Sequence, residues 1–364
     1  MQEHRSSGVS AIVLAAGMST RMGSPKQLLQ FHGRALLEIC LETLRKSRVE
    51  EIVVVLGASA EIIRQQITLD ETKVVVNNFY REGMGTSLRV GLAAIGPNAR
   101  AALVMLADQP FLRPSTINEL IEQHQKNQSQ IVIPLYRGFR GNPVLLDRSV
   151  FAELAVLSGD IGCRAIFGDH TENILKVAVD DAGILLDIDT RTDFENLQEA
   201  RSEAVDDLTE LAAGRPQLVV VGQEAVAQAL LKLGRLMHFN VILVDPFLTT
   251  REVPDADRVL HTLDLSRLPT AAWTYVAVAS RGRFDEEAVE QALLAKADYI
   301  ALVANKKRGL EIIAGLKQKG TSPESLAALR APAGIAIGAV DPEEIALSVM
   351  AEIVSEYRRQ RHTA

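Results

Sequence analysis

The sequence predicts two doubly wound α/β domains in series. Three observations carry that prediction. Short apolar runs alternate with amphipathic helical patterns along the whole chain. Several runs are apolar on both faces, as a parallel sheet covered by helices requires. The length, 364 residues, exceeds what one core ordinarily organises. The first series of strands is "AIVLAA" (11–16), "EIVVVLG" (51–57), "KVVVN" (73–77), "AALVMLA" (101–107) and "QIVIP" (130–134). Between them, apolar residues such as Leu36, Leu37, Cys40 and Leu44 recur at three- or four-residue spacing, the period of a helix face. Near 198–215, "QEARSEAVDDLTELAAGRP" reads as a helix closed by a Gly-Arg-Pro break, with no strand in it. A second series follows: "QLVVVG" (217–222), "NVILVD" (240–245), "TYVAVAS" (274–280), "DYIALVA" (298–304) and "GIAIG" (334–338). The expected organisation is a first domain at 1–200, a linker helix and break at 201–215, and a second domain at 216–364.

Composition narrows the function. Apolar residues make up 47% and charged residues 23%, the usual balance of a globular enzyme or binding protein. The formal net charge of −7 argues against a nucleic-acid partner, which ordinarily selects a basic surface. The two cysteines, Cys40 and Cys163, lie far apart and outside any CxxC spacing, so neither a disulfide framework nor a zinc site is expected. No run is long and apolar enough for a signal peptide or a membrane span, and a cytoplasmic location without membrane contact is the expectation.

The chemistry concentrates at strand ends. "LAAGMSTRMGSPK" (14–26) runs from a strand into Gly17, Ser19, Arg21, Gly23 and Lys26. Glycines let backbone N–H groups approach an anion, and Arg21 and Lys26 bring the charge that a triphosphate requires. The spacing is neither the Walker pattern nor Gly-x-Gly-x-x-Gly. The competing reading is a plain strand-to-helix turn with solvated basic residues. "ALVMLADQP" ends a second apolar strand in Asp108, where open α/β sheets bind ligands and where a carboxylate can hold Mg²⁺ between phosphates. A helix N-cap is the alternative there. In "LLDIDTRTDFENL" (185–197), Asp187 and Asp189 alternate along an extended chain and point to one side. One or both complete a metal site with Asp108, or else Asp189 or Thr190 caps the next helix.

Together, "LAAGMSTRMGSPK", "LADQP" and "DIDTRTDFENL" resemble the MobA-like nucleotidyltransferases, over about residues 8–200. The resemblance implies a GT-A-like fold for this half. It also implies a first loop (Leu14, Ala15, Ala16, Gly17, Ser19, Arg21, Gly23, Lys26) that grips a nucleoside triphosphate, and Mg²⁺ on Asp108 with Asp187 or Asp189. "LAAG" is similar to the branch that transfers cytidylyl groups to molybdopterin, which implies CTP as donor; the guanylyl-transferring branch tends to read "LAGG". "NNFYREGMGTSLRVGL" (77–92) resembles the segment that meets the base and would set Ser87 against cytosine. "RGFRGNPVLL" (137–146) resembles a segment near the pterin acceptor that more often reads "GHP", with Asn142 in the histidine's place. "LSGDIGCRAIF" (157–167) also matches, and the resemblance gives Gly159, Asp160 and Arg164 to acceptor recognition. The terminal phosphate of molybdopterin is already ionised at neutral pH, so the implied in-line attack needs no protein base. Transfer to a sugar or alditol phosphate remains the alternative among enzymes.

The second half opens like a dinucleotide-binding βαβ unit. Gly222 closes its first strand and Asp245, an acid suited to a ribose, ends the next. Glu224 stands where the second fingerprint glycine belongs, and a carboxylate there would crowd and repel a pyrophosphate. "VVGQEAVAQAL", "VAVASRGRFDEEAVEQAL", "ADYIALVANKKRG" and "APAGIAIGAVDPEEIALSVMAEI" resemble the Rossmann domain of XdhC proteins, accessory factors of xanthine dehydrogenase maturation. That family more often reads "GAGHVA" and "TRGHxxD" where this chain has "GQEAVA" and "SRGRFDE", so Glu224 and Arg283 are departures. An anion on this domain would then be met elsewhere, for instance by Arg281, Arg283 and Lys306, or the domain would serve as a docking surface. The fusion implies cofactor synthesis joined to cofactor delivery, with a molybdenum hydroxylase of the xanthine dehydrogenase type as partner. A non-catalytic cofactor chaperone and an NAD-dependent oxidoreductase are the readings from other classes.

Overall fold

A computed structural model describes residues 8–19, 22–157, 159, 162–188, 194, 216–250, 253–268 and 271–361. The chain divides into two compact units, Met1–Ala212 and Ala213–Ala364. The linker expected at 201–215 lies outside the described residues.

The first unit is built on β1 (Val9–Ala15), β4 (Glu51–Leu56), β5 (Lys73–Val76) and β6 (Ala101–Leu106), parallel and side by side in the order β5-β4-β1-β6. Ile12 packs toward the helix Met84–Ala94, and Ala11 and Val13, equally buried, point to the other face. The sheet becomes mixed beyond β6. There β9 (Val144–Asp147) runs antiparallel to both β6 and β7 (Ile131–Tyr136), and β10 (Ile174–Ala178) closes the edge parallel to β7. Two short pairs complete the unit: β8 (Phe139–Arg140) folds back on β7, and β2 (Gln30–Phe31) pairs with β3 (Arg34–Ala35). The doubly wound α/β fold expected for this half is present, on a sheet that is parallel-rich and becomes mixed at one edge. The strands β8, β9 and β10 were absent from the expected series.

Within the parallel part, the chain leaves β1 to one side for β4 and β5 and then crosses to the other side for β6. A crevice opens outside the carboxyl ends wherever strand order reverses in this way. Here it opens between the loops that follow Ala15 and Leu106.

The second unit holds six parallel strands in the order β13-β12-β11-β14-β15-β16. They are β11 (Gln217–Val221), β12 (Asn240–Val244), β13 (Arg258–Leu260), β14 (Thr274–Val278), β15 (Tyr299–Leu302) and β16 (Leu329–Arg330). Counted within the unit, that order is 3-2-1-4-5-6, the order of the dinucleotide-binding fold. Ala346, Val349, Met350 and Ile353 of the helix Pro342–Arg361 enter its core. The strand expected at 334–338 is not one. Gly334 and Gly338 take positive φ, and Gly334 N–H donates to Glu352 while Ile335 N–H donates to the Ser348 carbonyl. These bonds fasten the segment to the last helix instead of the sheet.

Gly57 is a point of close approach. A Cβ built there would stand 2.6 Å from the Ala16 carbonyl oxygen and 2.7 Å from its Cβ. Gly57→Ala is expected to lower the unfolding free energy by about 1–3 kcal/mol, the cost of overpacking a close contact. Thermal melting of the variant beside the wild type measures it.

Candidate active site

The loop after β1 is folded on itself. Ser19 takes a left-handed conformation (φ 52°), its carbonyl accepts from Met22 N–H at 2.9 Å, and its hydroxyl oxygen accepts from Lys26 N–H at 3.0 Å. A cross-loop bond of this kind holds the turn rigid and leaves Gly17 and Gly23 exposed, with nothing within 4 Å of a Cβ built at either. Ala15 and Ala16 are buried beneath, and Leu14 is half-buried. Gln27, only 1% exposed, donates to the Ala15 carbonyl at 3.0 Å and ties the far end of the loop to the end of β1.

This folding carries Lys26 across the crevice. Its ammonium forms an ion pair with Oδ2 of Asp108. The carboxylate is buried, and a buried charge without a partner costs several kcal/mol. The other oxygen, Oδ1, is buried and has no hydrogen-bond partner among the described residues. An ionised oxygen left bare at the carboxyl end of a sheet fits a hard divalent cation, whose ligands are oxygens. Cys40, 3.6 Å from the Ala107 carbonyl, is no nucleophile: burial and then the charge of Asp108 push its thiol far above the neutral range. Cys163 is likewise pushed up to about 11 by burial.

The segment Asp181–Ile188 is laced to the same strand end. Ile188 N–H donates to the Asp108 carbonyl at 3.1 Å. The Gln109 amide donates to Asp187 Oδ1 at 2.9 Å and to the Ile184 carbonyl at 3.3 Å. Lys26 and Asp108 are thus paired directly and Asp187 is tied to the same strand end through Gln109 and the backbone of Ile188, whereas Arg21 and Asp189 lie outside the described residues. Among the described residues no group of three or more His, Cys, Asp or Glu side chains forms a metal cluster.

The other expected site residues occupy neighbouring segments. Ser87 is buried in the first turns of the helix Met84–Ala94, and its hydroxyl oxygen accepts from Asn77 at 2.9 Å. Gly159 accepts from Gly85 N–H at 3.0 Å, which docks its loop on the start of that helix. Asn142 precedes a cis proline and donates its N–H to Ile184 at 3.0 Å. Arg164 is half-buried on the short turn Gly162–Ile166, and Asp160 lies outside the described residues. Gln27, Asn77 and Gln109 were missed from sequence. Amides carry no charge pattern, and only their near-complete burial, visible in three dimensions, marks them.

In the second unit, the turn after β11 is shaped by Gly222. Its φ is 117°, and a Cβ there would lie 2.5 Å from the Ala279 carbonyl oxygen. The two departures from the XdhC motifs meet in space. Arg283 Nη2 is 3.6 Å from Glu224 Oε1 and 3.0 Å from Oδ2 of the fully buried Asp245. Asp245 Oδ1 accepts from Phe247 N–H at 2.8 Å. Arg283 is therefore engaged by two acids, Arg281 stands exposed at φ 53°, and Lys306 opens a helix capped by Asn305.

Comparison with known proteins agrees with this architecture. Residues 11–174 match the MobA-like NTP transferase domain and residues 218–353 the XdhC Rossmann domain. The chain is 32% identical to the nicotine blue oxidoreductase of Paenarthrobacter nicotinovorans over 191 residues, 50% of this chain and 92% of that protein. It is 24% identical to the molybdenum cofactor cytidylyltransferase of Escherichia coli K12, over 54% of this chain and 99% of that one. It spans only 28% of the length of a bifunctional protein GlmU from Staphylococcus saprophyticus that it also matches. A solved structure, the homologue from Mycobacterium sp. strain JC1 of the Mycobacterium tuberculosis protein Rv0371c, is 31% identical. It superposes with a TM-score of 0.50, covering 57% of this chain and 100% of its own. With its first unit built around a loop and an aspartate at the strand-order reversal, and its second on the 3-2-1-4-5-6 sheet, the chain belongs to the MobA-like NTP transferase family and carries an XdhC Rossmann domain.

Proposed function

We propose that the first unit transfers CMP from CTP to molybdopterin, releasing pyrophosphate, and that the second unit handles the product or delivers it to a molybdenum hydroxylase. The observation that carries the reading is the Lys26–Asp108 pair at the crevice, with its bare Oδ1. Asp108, with Asp187 or Asp189 or both, would hold Mg²⁺. Bound there, the ion supplies charge neutralisation for the oxygens of an in-line displacement. The chain's own part is positioning. Backbone groups around Gly17 and Gly23 receive the triphosphate, and Arg21 and Lys26 stabilise the departing pyrophosphate. The segment carrying Asn142 and the segment carrying Gly159, Asp160 and Arg164 receive the acceptor. A phosphate nucleophile, ionised at neutral pH, needs no proton removed. The test is incubation with CTP, Mg²⁺ and molybdenum-loaded molybdopterin, with pyrophosphate release as the readout. No release above a blank rejects the reading.

A second reading has one observation in its favour. The relative at 32% identity is named an oxidoreductase, although its match lies over about half of this chain. NAD(P)H oxidation in the absence of nucleoside triphosphate separates the two.

Three outcomes are expected. Asp108→Asn should reduce transfer by several orders of magnitude in a chain that still folds, because it removes the charge that binds the ion. Turnover near wild type overturns the assignment. At equal CTP and GTP, a site shaped for cytosine by Ala15, Ala16 and Ser87 should incorporate CMP in large excess, and equal incorporation indicates a broader nucleotidyltransferase. In the second unit, calorimetric titration of the full chain with NAD⁺ should give no micromolar binding, and Glu224→Gly should raise affinity. Like charges a few ångströms apart cost on the order of 1–4 kcal/mol, about one to three decades. Micromolar binding by the wild type overturns that exclusion.

A further inference from the structure

We propose that Gln109 is a positioning residue for the metal site, acting through Asp187; the inference rests on the nucleotidyltransferase reading of the first unit. Gln109 is 0% exposed and follows Asp108 directly. A fully buried glutamine at the end of a strand needs a reason, since its amide loses water on both sides. Its Nε2 donates to two acceptors, Asp187 Oδ1 at 2.9 Å and the Ile184 carbonyl at 3.3 Å. Both neighbours are pure acceptors, so only the orientation with NH₂ toward them is tolerable.

Asp187 is thereby held from two directions. Gln109 grips one carboxylate oxygen, and the next residue in the chain, Ile188, donates its N–H to the Asp108 carbonyl at 3.1 Å. The two bonds join the strap 181–188 to consecutive residues of the strand end and fix where the second carboxylate stands relative to the first. The strap is fastened further back as well. Buried Asp181 accepts from Arg113 N–H at 3.0 Å and from Thr116 Oγ1 at 2.6 Å, and Asn142 N–H binds the Ile184 carbonyl. These outer bonds place the backbone of the strap. Gln109 alone among them reaches a carboxylate of the candidate metal site. A glutamine suits that task because it orients the oxygen through neutral donors and does not itself neutralise the carboxylate's negative charge. A lysine or arginine at the same place would cancel it.

The test is Mn²⁺ binding to the full chain, read by loss of the free-ion electron paramagnetic resonance signal. Gln109→Met, which keeps the volume and removes the donors, is expected to weaken Mn²⁺ by about 10–100-fold, as loss of an outer-shell partner does. Its melting without metal reports the fold; if it fails to fold, Gln109→Leu serves. In a cycle with Asp187→Asn, the double variant should bind no more weakly than Asp187→Asn alone, because Gln109 acts through that carboxylate. Unchanged Mn²⁺ affinity in a folded Gln109→Met, or additive losses in the cycle, overturns the inference and leaves the proposed activity standing. A wild type that binds no Mn²⁺ overturns the metal reading itself.

Discussion

Asp108 is a charge that the fold has taken out of water, and much of the first unit is arranged around that fact. Its carboxylate sits at the end of a strand whose every other residue is apolar. Desolvation at such a place is offset only by a nearby cation and good hydrogen bonds. Lys26 supplies the cation, and for it to arrive the loop from Ala16 must turn back on itself. The Ser19-to-Lys26 bond and the Gln27-to-Ala15 bond make that turn. The loop that would bind phosphates and the aspartate that would bind metal are therefore one mechanical object.

The second unit shows the same economy with opposite consequences. Asp245 is fully buried where a ribose acid belongs, and Arg283 supplies its partner from inside the protein. Glu224 adds a second acid to that guanidinium. The fold of a dinucleotide-binding domain is intact, but the two acids at its strand-order reversal already share one arginine from inside the protein. This favours a role in which the domain handles something other than an ordinary dinucleotide.

How much of this was legible beforehand depended on burial and length. Strands buried on both faces, such as β1, β4, β6 and β14, announce themselves as unbroken apolar runs. The strand β10, with Lys176 exposed, and β13, only partly buried, carry no such run and were missed. "GIAIG" misled in the opposite direction: its alternating isoleucines suit a strand, but its glycines at positive φ and its bonds to the last helix set the conformation. At the site, the charged residues Lys26 and Asp108 were readable from their place at strand ends. Gln109 was not, because an amide earns its position from two neighbours that are distant in sequence.

The pairing of Glu224 with Arg283 also constrains the order in which such a site can change. Arg283 without Glu224 still has Asp245 as partner, so that intermediate keeps every buried charge balanced. Glu224 without Arg283 would leave two carboxylates, one of them fully buried, confronting each other with no cation between. A lineage exchanging one state of this crevice for the other by single steps has one inexpensive path: arginine enters first and leaves last. Residues 224 and 283, 59 positions apart in the sequence, are in this sense one charge unit: a change at either alters the electrostatic cost of the other.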